Sequence, residues 1–442
     1  MRPHPWLVVV FVAASIGLVF AGLSTYDFVQ HLDRQVHDLH CSFIPGMGTH
    51  TGESGCQLAM MSPYSSVFRT RAWGGVPIAL PAMAVFAFVA FYTVDLLISR
   101  RKDDPRATAF LALATALPAV TSIVMLVISL TKLGTTCKLC VGIYVASGLG
   151  LVGAIASWRR SVRSSPSREP GKPPTLLVVA SNRFLAAMFG IGVAFVAVPI
   201  VVYFALAPDH RRFIGTCGAL AATASKPDNN VMLRIGPTRH DPSAAQAIEI
   251  LDPLCPACRA FEQRLDRSGL EPELDRVAVL FPLDNTCNWM VTEATHPGAC
   301  TVSEAMLCAS NAGDGGAEAV LEWAFANQDH IRTTATSDPE AAARLVKAEF
   351  PQWASCIGSP AVKARLNKSL RWAVANNLRV MTPQLFVDNV KLCDEDVDLG
   401  LEYSLGEMLE RHANHTLAAT PLETPPPPTT AKPSKPATGG AL

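Results

Sequence analysis

Two cysteines, Cys255 and Cys258, flank Pro256-Ala257 directly after a stretch that alternates like a β-strand. A C-x-x-C pair between a strand and a helix is typical of a redox site. The first sulfur would lie at the helix N-terminus, where free N–H groups stabilise a thiolate, and the second could attack a mixed disulfide. The alternatives are a structural disulfide or zinc, but no second C-x-x-C or H-x-x-x-H pair lies nearby to complete a zinc site.

A second C-x-x-C pair opens a run that is apolar enough to enter a lipid bilayer. Cys137, Cys140 and Tyr144 are spaced i, i+3 and i+7, so they share one face of a helix. Reactive groups in a membrane span are functional candidates by default. The alternative is a pair of small cysteines that pack in a helical bundle.

A third pair, Cys41 and Cys56, lies between the first two apolar runs on a stretch rich in Gly, Ser and Thr. This composition predicts a mobile loop whose thiols could reach both a soluble partner and a pair at the membrane edge. Disulfide exchange needs only contact between a thiolate and a disulfide sulfur. A structural disulfide that ties the loop is the alternative.

The chain that must position these pairs is strongly apolar in its first half. It has 442 residues, 49% hydrophobic and 17% charged, with a mean hydropathy of +0.25 and a formal net charge of zero. These values favour a membrane protein of two or more domains and give no sign of a nucleic-acid partner. Because lipid offers the backbone no hydrogen-bond partners, each span must satisfy its own N–H and C=O groups, and we expect helices. The predicted spans are 6–22, 76–98, 108–130, 141–156 and 176–206.

The first run could be a secretory signal, but its length and its weak charged flank favour an uncleaved helix. Lys and Arg cluster after the second and fourth runs, which places those two loops in the cytoplasm. The cysteines of the membrane half then lie at or near the outer face, where disulfides form. Everything after residue 206 also lies outside.

The C-terminal half predicts a mixed α/β domain with strands at 246–251 and 276–282, a strand pair within 382–392 joined by Asp388-Asn389, and helical patterns between. Six further cysteines, Cys217, Cys287, Cys300, Cys308, Cys356 and Cys393, are predicted to be structural, with Cys287–Cys300 as one pairing. A Pro-rich linker precedes the fifth run, and the Pro-rich end of the chain is predicted to be disordered. The predicted domains are 1–160, the linker 161–175, the fifth helix 176–207, the α/β domain 208–412 and the tail 413–442.

Residues 232–409 resemble the DsbA-like branch of the thioredoxin superfamily. The long gap between Cys258 and Thr382 leaves room for an inserted helical subdomain. The resemblance implies that Cys255 is the exposed nucleophile and Cys258 its partner. It also implies that Thr382-Pro383 forms a cis peptide bond beside the cysteines and shapes the substrate groove.

Residues 6–158 are similar to the vitamin K epoxide reductase family. The similarity is carried by the loop cysteine pair, the sequence S-P-Y-S-S-V-F, a Gly/Pro-marked second run and a C-x-x-C at the start of the fourth run. Bacterial members are often fused to a thioredoxin-like domain through an extra helix. The resemblance implies a four-helix membrane bundle in which Cys140 faces a quinone, Cys137 exchanges with the loop pair, and Ser62 and Tyr144 contact the quinone.

Two features depart from the usual family pattern: the loop cysteines are unusually far apart, and Val76-Pro77 stands where vertebrate members have a quinone-binding asparagine.

The sequence thus predicts a quinone-dependent thiol oxidase of the bacterial inner membrane that forms disulfide bonds in exported proteins. Electrons would pass from cysteine-containing substrates to the C-P-A-C pair, then to the loop pair, the membrane pair and finally menaquinone or ubiquinone. The thioredoxin-like domain would be periplasmic, and no metal is expected. Two alternatives stay open. One is an outward reductant conveyor or disulfide isomerase. The other is a membrane-anchored chaperone or metal-binding protein whose cysteines hold substrate or copper.

Overall fold

A computed structural model of the protein describes residues 5–35, 37, 39–41, 55–99, 101–134, 136–164, 176–221, 231–236, 243–312 and 315–419. Five helices among these residues are long and apolar enough to cross a membrane, which agrees with the prediction of a multi-pass membrane protein. In chain order the N-terminal half comprises α1 (Pro5–Gln30), α2 (Gly55–Met61), β1 (Ser66–Val67), β2 (Val76–Pro77), α3 (Ala79–Ile98), α4 (Pro105–Ile128), α5 (Lys138–Ser164) and α6 (Leu176–Leu206).

The helical bundle packs around α1, which contacts both α3 and α5. The close approach of α1 to α3 requires Gly17, because a Cβ at that position would lie 2.5 Å from the ring of Phe86. Tyr92 is fully buried at the centre of the bundle. Large apolar side chains on α4 remain exposed, as contact with lipid requires. They include Leu113, Leu117, Val120 and Ile123.

Several element boundaries differ from the predicted ones, because backbone and side-chain partners from other segments extend or replace the predicted helices. α1 continues to Gln30, well beyond the predicted end at residue 22. Val76 and Pro77 were predicted to begin the second span, but they pair with β1 as β2. The predicted linker at 161–175 starts too early, since α5 continues to Ser164 and the buried Ser161 hydroxyl hydrogen bonds Thr108 at 2.6 Å.

Three segments lie outside the described residues: 42–54 of the predicted mobile loop, 165–175 of the predicted linker and 420–442 of the predicted disordered tail. The first residues of the predicted disordered tail do have a defined structure. Ala413 is the last residue of a helix, and Leu417 packs against the hydrophobic core beside it.

The described residues after α6, here called the α/β region, contain a five-stranded mixed sheet. The spatial order is β3 (Met232–Arg234), β5 (Leu274–Leu280), β4 (Ala245–Leu251), β6 (Gln384–Val387) and β7 (Val390–Lys391). β4 and β5 run parallel, and the other neighbours run antiparallel. Asp388 and Asn389 join β6 to β7 with positive φ angles, as a tight hairpin turn requires.

Helices cover this sheet. α7 (Pro256–Ser268) follows β4 and shares a core with the final helix, α12 (Leu401–Ala413). Between β5 and β6 lie α8 (Ala299–Ala309), α9 (Gly316–Ser337), α10 (Ala341–Glu349) and α11 (Pro360–Ala375). This arrangement is compatible with the predicted thioredoxin-like fold with a helical insertion.

Three disulfides fasten the α/β region. Cys287–Cys300 forms as the sequence predicts. The other two bonds are Cys217–Cys393 and Cys308–Cys356, with sequence separations of 176 and 48 residues.

The α/β region docks on one end of the helical bundle, here called the docked end. The buried carboxylate of Asp396 accepts hydrogen bonds from Trp73 Nε1 at 2.7 Å and from Arg34 Nε at 3.0 Å. Arg264 of α7 donates to the carbonyl oxygen of Met61 at 2.9 Å. An apolar cluster of Phe28, Leu32, Trp73, Leu399 and Tyr403 fills the rest of the contact.

Candidate active site

The loop pair and the membrane pair meet at the docked end. Cys41 and Cys56 form a disulfide, and Cys137 and Cys140 are free thiols. The sulfur of Cys137 lies 3.1 Å from the sulfur of Cys56. All but Cys140 are buried, with exposed fractions of 4 to 6%. A thiol in contact with one sulfur of a disulfide is the arrangement that thiol–disulfide exchange requires, and it makes Cys56 the loop cysteine that faces Cys137.

The start of α5 positions the membrane pair. Cys137 directly precedes the helix and Cys140 lies in its first turn, as the spacing predicts. Tyr144 lies one turn beyond Cys140, and all three side chains line one cavity. The three predicted residues therefore share one helix face.

A cavity beside these cysteines opens between α1, α2, α4 and α5. It encloses about 700 Å³ of empty space, a figure that includes the open solvent at its mouth. Predicted site residues from three separate segments line it: Cys56, Ser62, Cys137, Cys140 and Tyr144. The remaining wall is mainly apolar, with side chains such as Phe28, Leu39, Met60, Met125, Ile128 and Leu133.

Ser62 is held at the cavity wall by the turn after α2. Its hydroxyl donates to the carbonyl oxygen of Ala59 at 2.7 Å. Its own carbonyl oxygen accepts a hydrogen bond from the buried guanidinium of Arg69 at 2.5 Å. The predicted site residues of the membrane half are thus brought together, with thiol, phenol and hydroxyl groups facing one apolar space. Such a donor set fits a flat apolar molecule with polar oxygens, which is the chemistry of a quinone.

Sequence reasoning missed two residues of this site, Asp27 and His40. Asp27 lines the cavity from the last turns of α1, and His40 contacts its carboxylate at 2.6 Å. An acidic residue soon after an apolar run could have signalled them, because ionisable groups at membrane depth are usually functional. The predicted end of the first span at residue 22 left Asp27 outside the helix.

The second cysteine site lies at the N-terminus of α7. Cys255 is the residue before the helix, Pro256 occupies the first helical position, and Cys258 is completely buried one turn on. Cys255 was predicted to be exposed but is only 4% exposed, because it packs in one core cluster with Leu254 and Cys258. Both are free thiols. The Thr382–Pro383 peptide bond is cis, and the Thr382 carbonyl oxygen lies 3.5 Å from the sulfur of Cys255. The structure thus brings together Cys255, Cys258 and Pro383.

The two thiols of this site have opposite acidity. A hydrogen bond from Cys258 lowers the pKa of Cys255 to about 6, despite burial. Burial raises the pKa of Cys258 well above its ordinary value. At neutral pH, Cys255 is therefore the nucleophilic thiolate and Cys258 stays protonated.

Buried ionisable groups surround this cysteine pair. Asp252 accepts hydrogen bonds from the amides of Leu254 and Leu283, both at 2.7 Å, and contacts His296 Nδ1 at 2.7 Å. Burial lowers the pKa of His296, but the hydrogen bond to Asp252 and its negative charge outweigh burial and raise that pKa. Desolvation raises the pKa of the fully buried Glu249 well above its ordinary value.

The structure does not join the two sites directly. Within the part of the chain that it describes, no covalent or hydrogen bond links Cys255 or Cys258 to Cys41 or Cys56. The α/β region that carries Cys255 is nevertheless held against the bundle, through Asp396 after β7 and through Arg264 of α7.

Residues 8–155 match the vitamin K epoxide reductase family. The match covers about one third of the chain and includes α3, α4, most of α1 and α5, and every residue of the membrane site. These residues form a domain of that family, which is associated with membrane oxidoreductase activity linked to disulfide and quinone chemistry. Comparison with curated proteins finds no match to this chain.

Proposed function

We propose that the protein is a quinone-dependent thiol oxidase that forms disulfide bonds in exported proteins. One observation carries the proposal: the Cys137 thiol lies 3.1 Å from Cys56 of the loop disulfide, on the wall of the cavity that also holds Cys140. This contact gives electrons a route between the loop pair and the membrane pair. The resident electron acceptor would be menaquinone or ubiquinone in the cavity.

Transfer from the loop to the membrane pair would take two exchange steps. The Cys56 thiolate attacks Cys137 of the oxidised membrane pair, and Cys140 leaves as a thiolate. Cys41 then attacks Cys56, the loop disulfide closes, and Cys137 leaves as a thiolate. Two electrons move from loop to membrane pair, and the products are the redox states of the structure.

The cavity walls would supply binding and orientation. Tyr144 would donate a hydrogen bond to one quinone oxygen, and the apolar wall would enclose the ring. Ser62 would donate to the other oxygen once its hydroxyl turns away from the carbonyl oxygen of Ala59. A quinone held there would supply the acceptor for two electrons and two protons, and Cys137 and Cys140 would be left as a disulfide. Cys140 is the partly exposed member of the pair, which suits it to face the ring.

The α/β region would be a thioredoxin-like, DsbA-like delivery domain with boundaries near 208 and 412. Its Cys255–Cys258 disulfide would oxidise substrate dithiols, and Pro383 would shape the substrate groove. The low pKa of Cys255 supports this role, because a stable thiolate is a good leaving group when the disulfide oxidises a substrate. The charge pattern of the loops supports a periplasmic location for this region at a bacterial inner membrane.

The test is quinone reduction by the purified full-length protein in detergent, driven by a reduced dithiol substrate. We expect turnover by the wild type and none by Cys140→Ala, which should accumulate a Cys56–Cys137 mixed disulfide. Leu149→Ala, a change at an exposed position on the same helix, should retain turnover. If the wild type fails to reduce quinone but binds copper stoichiometrically or holds unfolded chains, the oxidase assignment is wrong.

A further inference from the structure

Asp27 and His40 form a tightly bonded pair beside the membrane site. One carboxylate oxygen of Asp27 lies 2.6 Å from His40 Nδ1, and the other accepts the backbone N–H of His40 at 2.9 Å. The Asp27 side chain is 3% exposed, whereas that of His40 is 28% exposed. The backbone hydrogen bond alone would pin the loop to α1, so the second, side-chain contact needs a further explanation.

The pair links two segments that carry reacting cysteines. Asp27 lines the same cavity as Cys56, Cys137 and Cys140. His40 directly precedes Cys41, the sulfur that closes the loop disulfide. The hydrogen-bonded pair therefore connects the residue next to Cys41 with the cavity that Cys137 lines.

The exchange step of the proposed function has a proton to move. When Cys41 attacks Cys56, its S–H bond must break, and the departing Cys137 thiolate must gain a proton. Both sulfurs are buried, at 5% and 6% exposure, so bulk water has poor access to either. Positioned side chains then carry protons far better than solvent does.

We propose that Asp27 and His40 are the proton-transfer residues of this exchange. The proton of the Cys41 thiol passes to His40, the S–S bond between Cys41 and Cys56 forms as the bond between Cys56 and Cys137 breaks, and Asp27 delivers a proton to Cys137. An imidazole can accept at one nitrogen and donate at the other, and a carboxyl group can do both in turn. The step balances without an external oxidant or a bound quinone. It rests on the electron transfer from the loop pair to the membrane pair that is part of the proposed function.

Other ionisable groups face the same space. Tyr64, Tyr144, Cys137 and Cys140 line the cavity, and His31 contacts the backbone oxygen of Asp27 at 2.7 Å. Among the described residues that line the cavity, Asp27 is the only carboxylate.

The experiment follows the exchange itself in the full-length protein. All cysteine pairs are first oxidised with diamide, a pulse of the reduced dithiol substrate then delivers electrons to the loop, and samples are quenched in acid, alkylated and mapped by mass spectrometry. The measured quantity is the rate at which Cys137 becomes free while Cys41–Cys56 closes. At pH 6.5 we expect Asp27→Asn and His40→Gln to slow this rate about 100-fold. Asp27→Glu should restore part of it.

The pH profile separates proton transfer from a structural role. Above pH 9.5, where ordinary thiols ionise unaided, the Asp27→Asn rate should approach that of the wild type. The matched control is Asp33→Asn, because Asp33 forms a similar but exposed pair with His37 at 2.7 Å and does not line the cavity. This variant should match the wild type at every pH.

Two results would overturn the inference in different ways. If Asp27→Asn is equally slow at all pH values, or is not slow at all, Asp27 and His40 only fasten the loop, and the proposed electron transfer from the loop pair to the membrane pair still stands. If the wild type never transfers electrons from the loop pair to the membrane pair, the proposed function itself is wrong.

Discussion

Asp396 should control the docking of the α/β region on the helical bundle. Its carboxylate is 1% exposed and accepts hydrogen bonds from Trp73 at 2.7 Å and from Arg34 at 3.0 and 3.2 Å. Asp396→Asn keeps the shape of the side chain but leaves the buried Arg34 without its main counter-charge. Removing one partner of a buried ion pair costs about 3–5 kcal/mol. The exposed Glu395, 3.8 Å from Arg34, can compensate in part, so we take the lower value of about 3 kcal/mol.

A loss of about 3 kcal/mol corresponds to a docking equilibrium about 150-fold less favourable. The contact buries the segment around Leu399 and Tyr403. Hydrogen exchange measured by mass spectrometry should therefore show the protection factor of this segment falling by the same factor as the docking equilibrium. Gly400→Ala provides an independent test. Its backbone is ordinary, but the added Cβ would lie 2.2 Å from Trp73 Nε1, so we expect a similar loss.

The matched control for this experiment is Asp394→Asn. Asp394 lies in the same turn but pairs with Lys391 at 2.6 Å and Arg379 at 3.3 Å, both within the α/β region. Protection around Leu399 should therefore stay at its wild-type value. Unchanged protection in both Asp396→Asn and Gly400→Ala would show that these contacts do not hold the two parts together.

Two further predictions concern the cysteine site and the bundle. The rate of alkylation of Cys255 in the reduced protein should be half-maximal near pH 6 and should fall as the pH drops through that value. Cys258→Ala should move this midpoint upward, because it removes the hydrogen bond to Cys255. An unmoved midpoint would rule out this hydrogen bond as the main cause of the low pKa of Cys255. Gly17→Leu should lower the stability of the membrane domain by about 2 kcal/mol, because its side chain would collide with Phe86. Gly148→Leu, where no atom lies within 4 Å of an added Cβ, is the control for thermal unfolding in detergent, and equal melting temperatures would refute the packing argument.

The features that the sequence predicted correctly depend on local patterns. Apolar runs must become helices in lipid because no water is present to satisfy the backbone, so hydropathy alone located all five long helices. The spacing of Cys137, Cys140 and Tyr144 fixed their common face, since i, i+3 and i+7 positions align on any helix. The cis bond before Pro383 and the short-range Cys287–Cys300 disulfide also follow local or family patterns.

The features that the sequence left open depend on residues brought together from distant segments. The partners of Cys217 and Cys308 lie 176 and 48 residues away, and six cysteines allow fifteen pairings that composition cannot rank. The reach of α1 to Gln30 was missed because a polar residue in a membrane helix is stable only with a partner. That partner, His40, becomes visible only once the loop has folded back against the helix.

The sequence by itself therefore determined which groups could carry electrons, because thiol chemistry and helix periodicity are properties of neighbouring residues. Only the tertiary structure decided which groups meet. It placed Cys56 rather than Cys41 against Cys137, set Asp27 in the same cavity, and held the α/β region against the bundle through Asp396. These contacts arise from packing between segments far apart in the chain, and no local pattern specifies such packing.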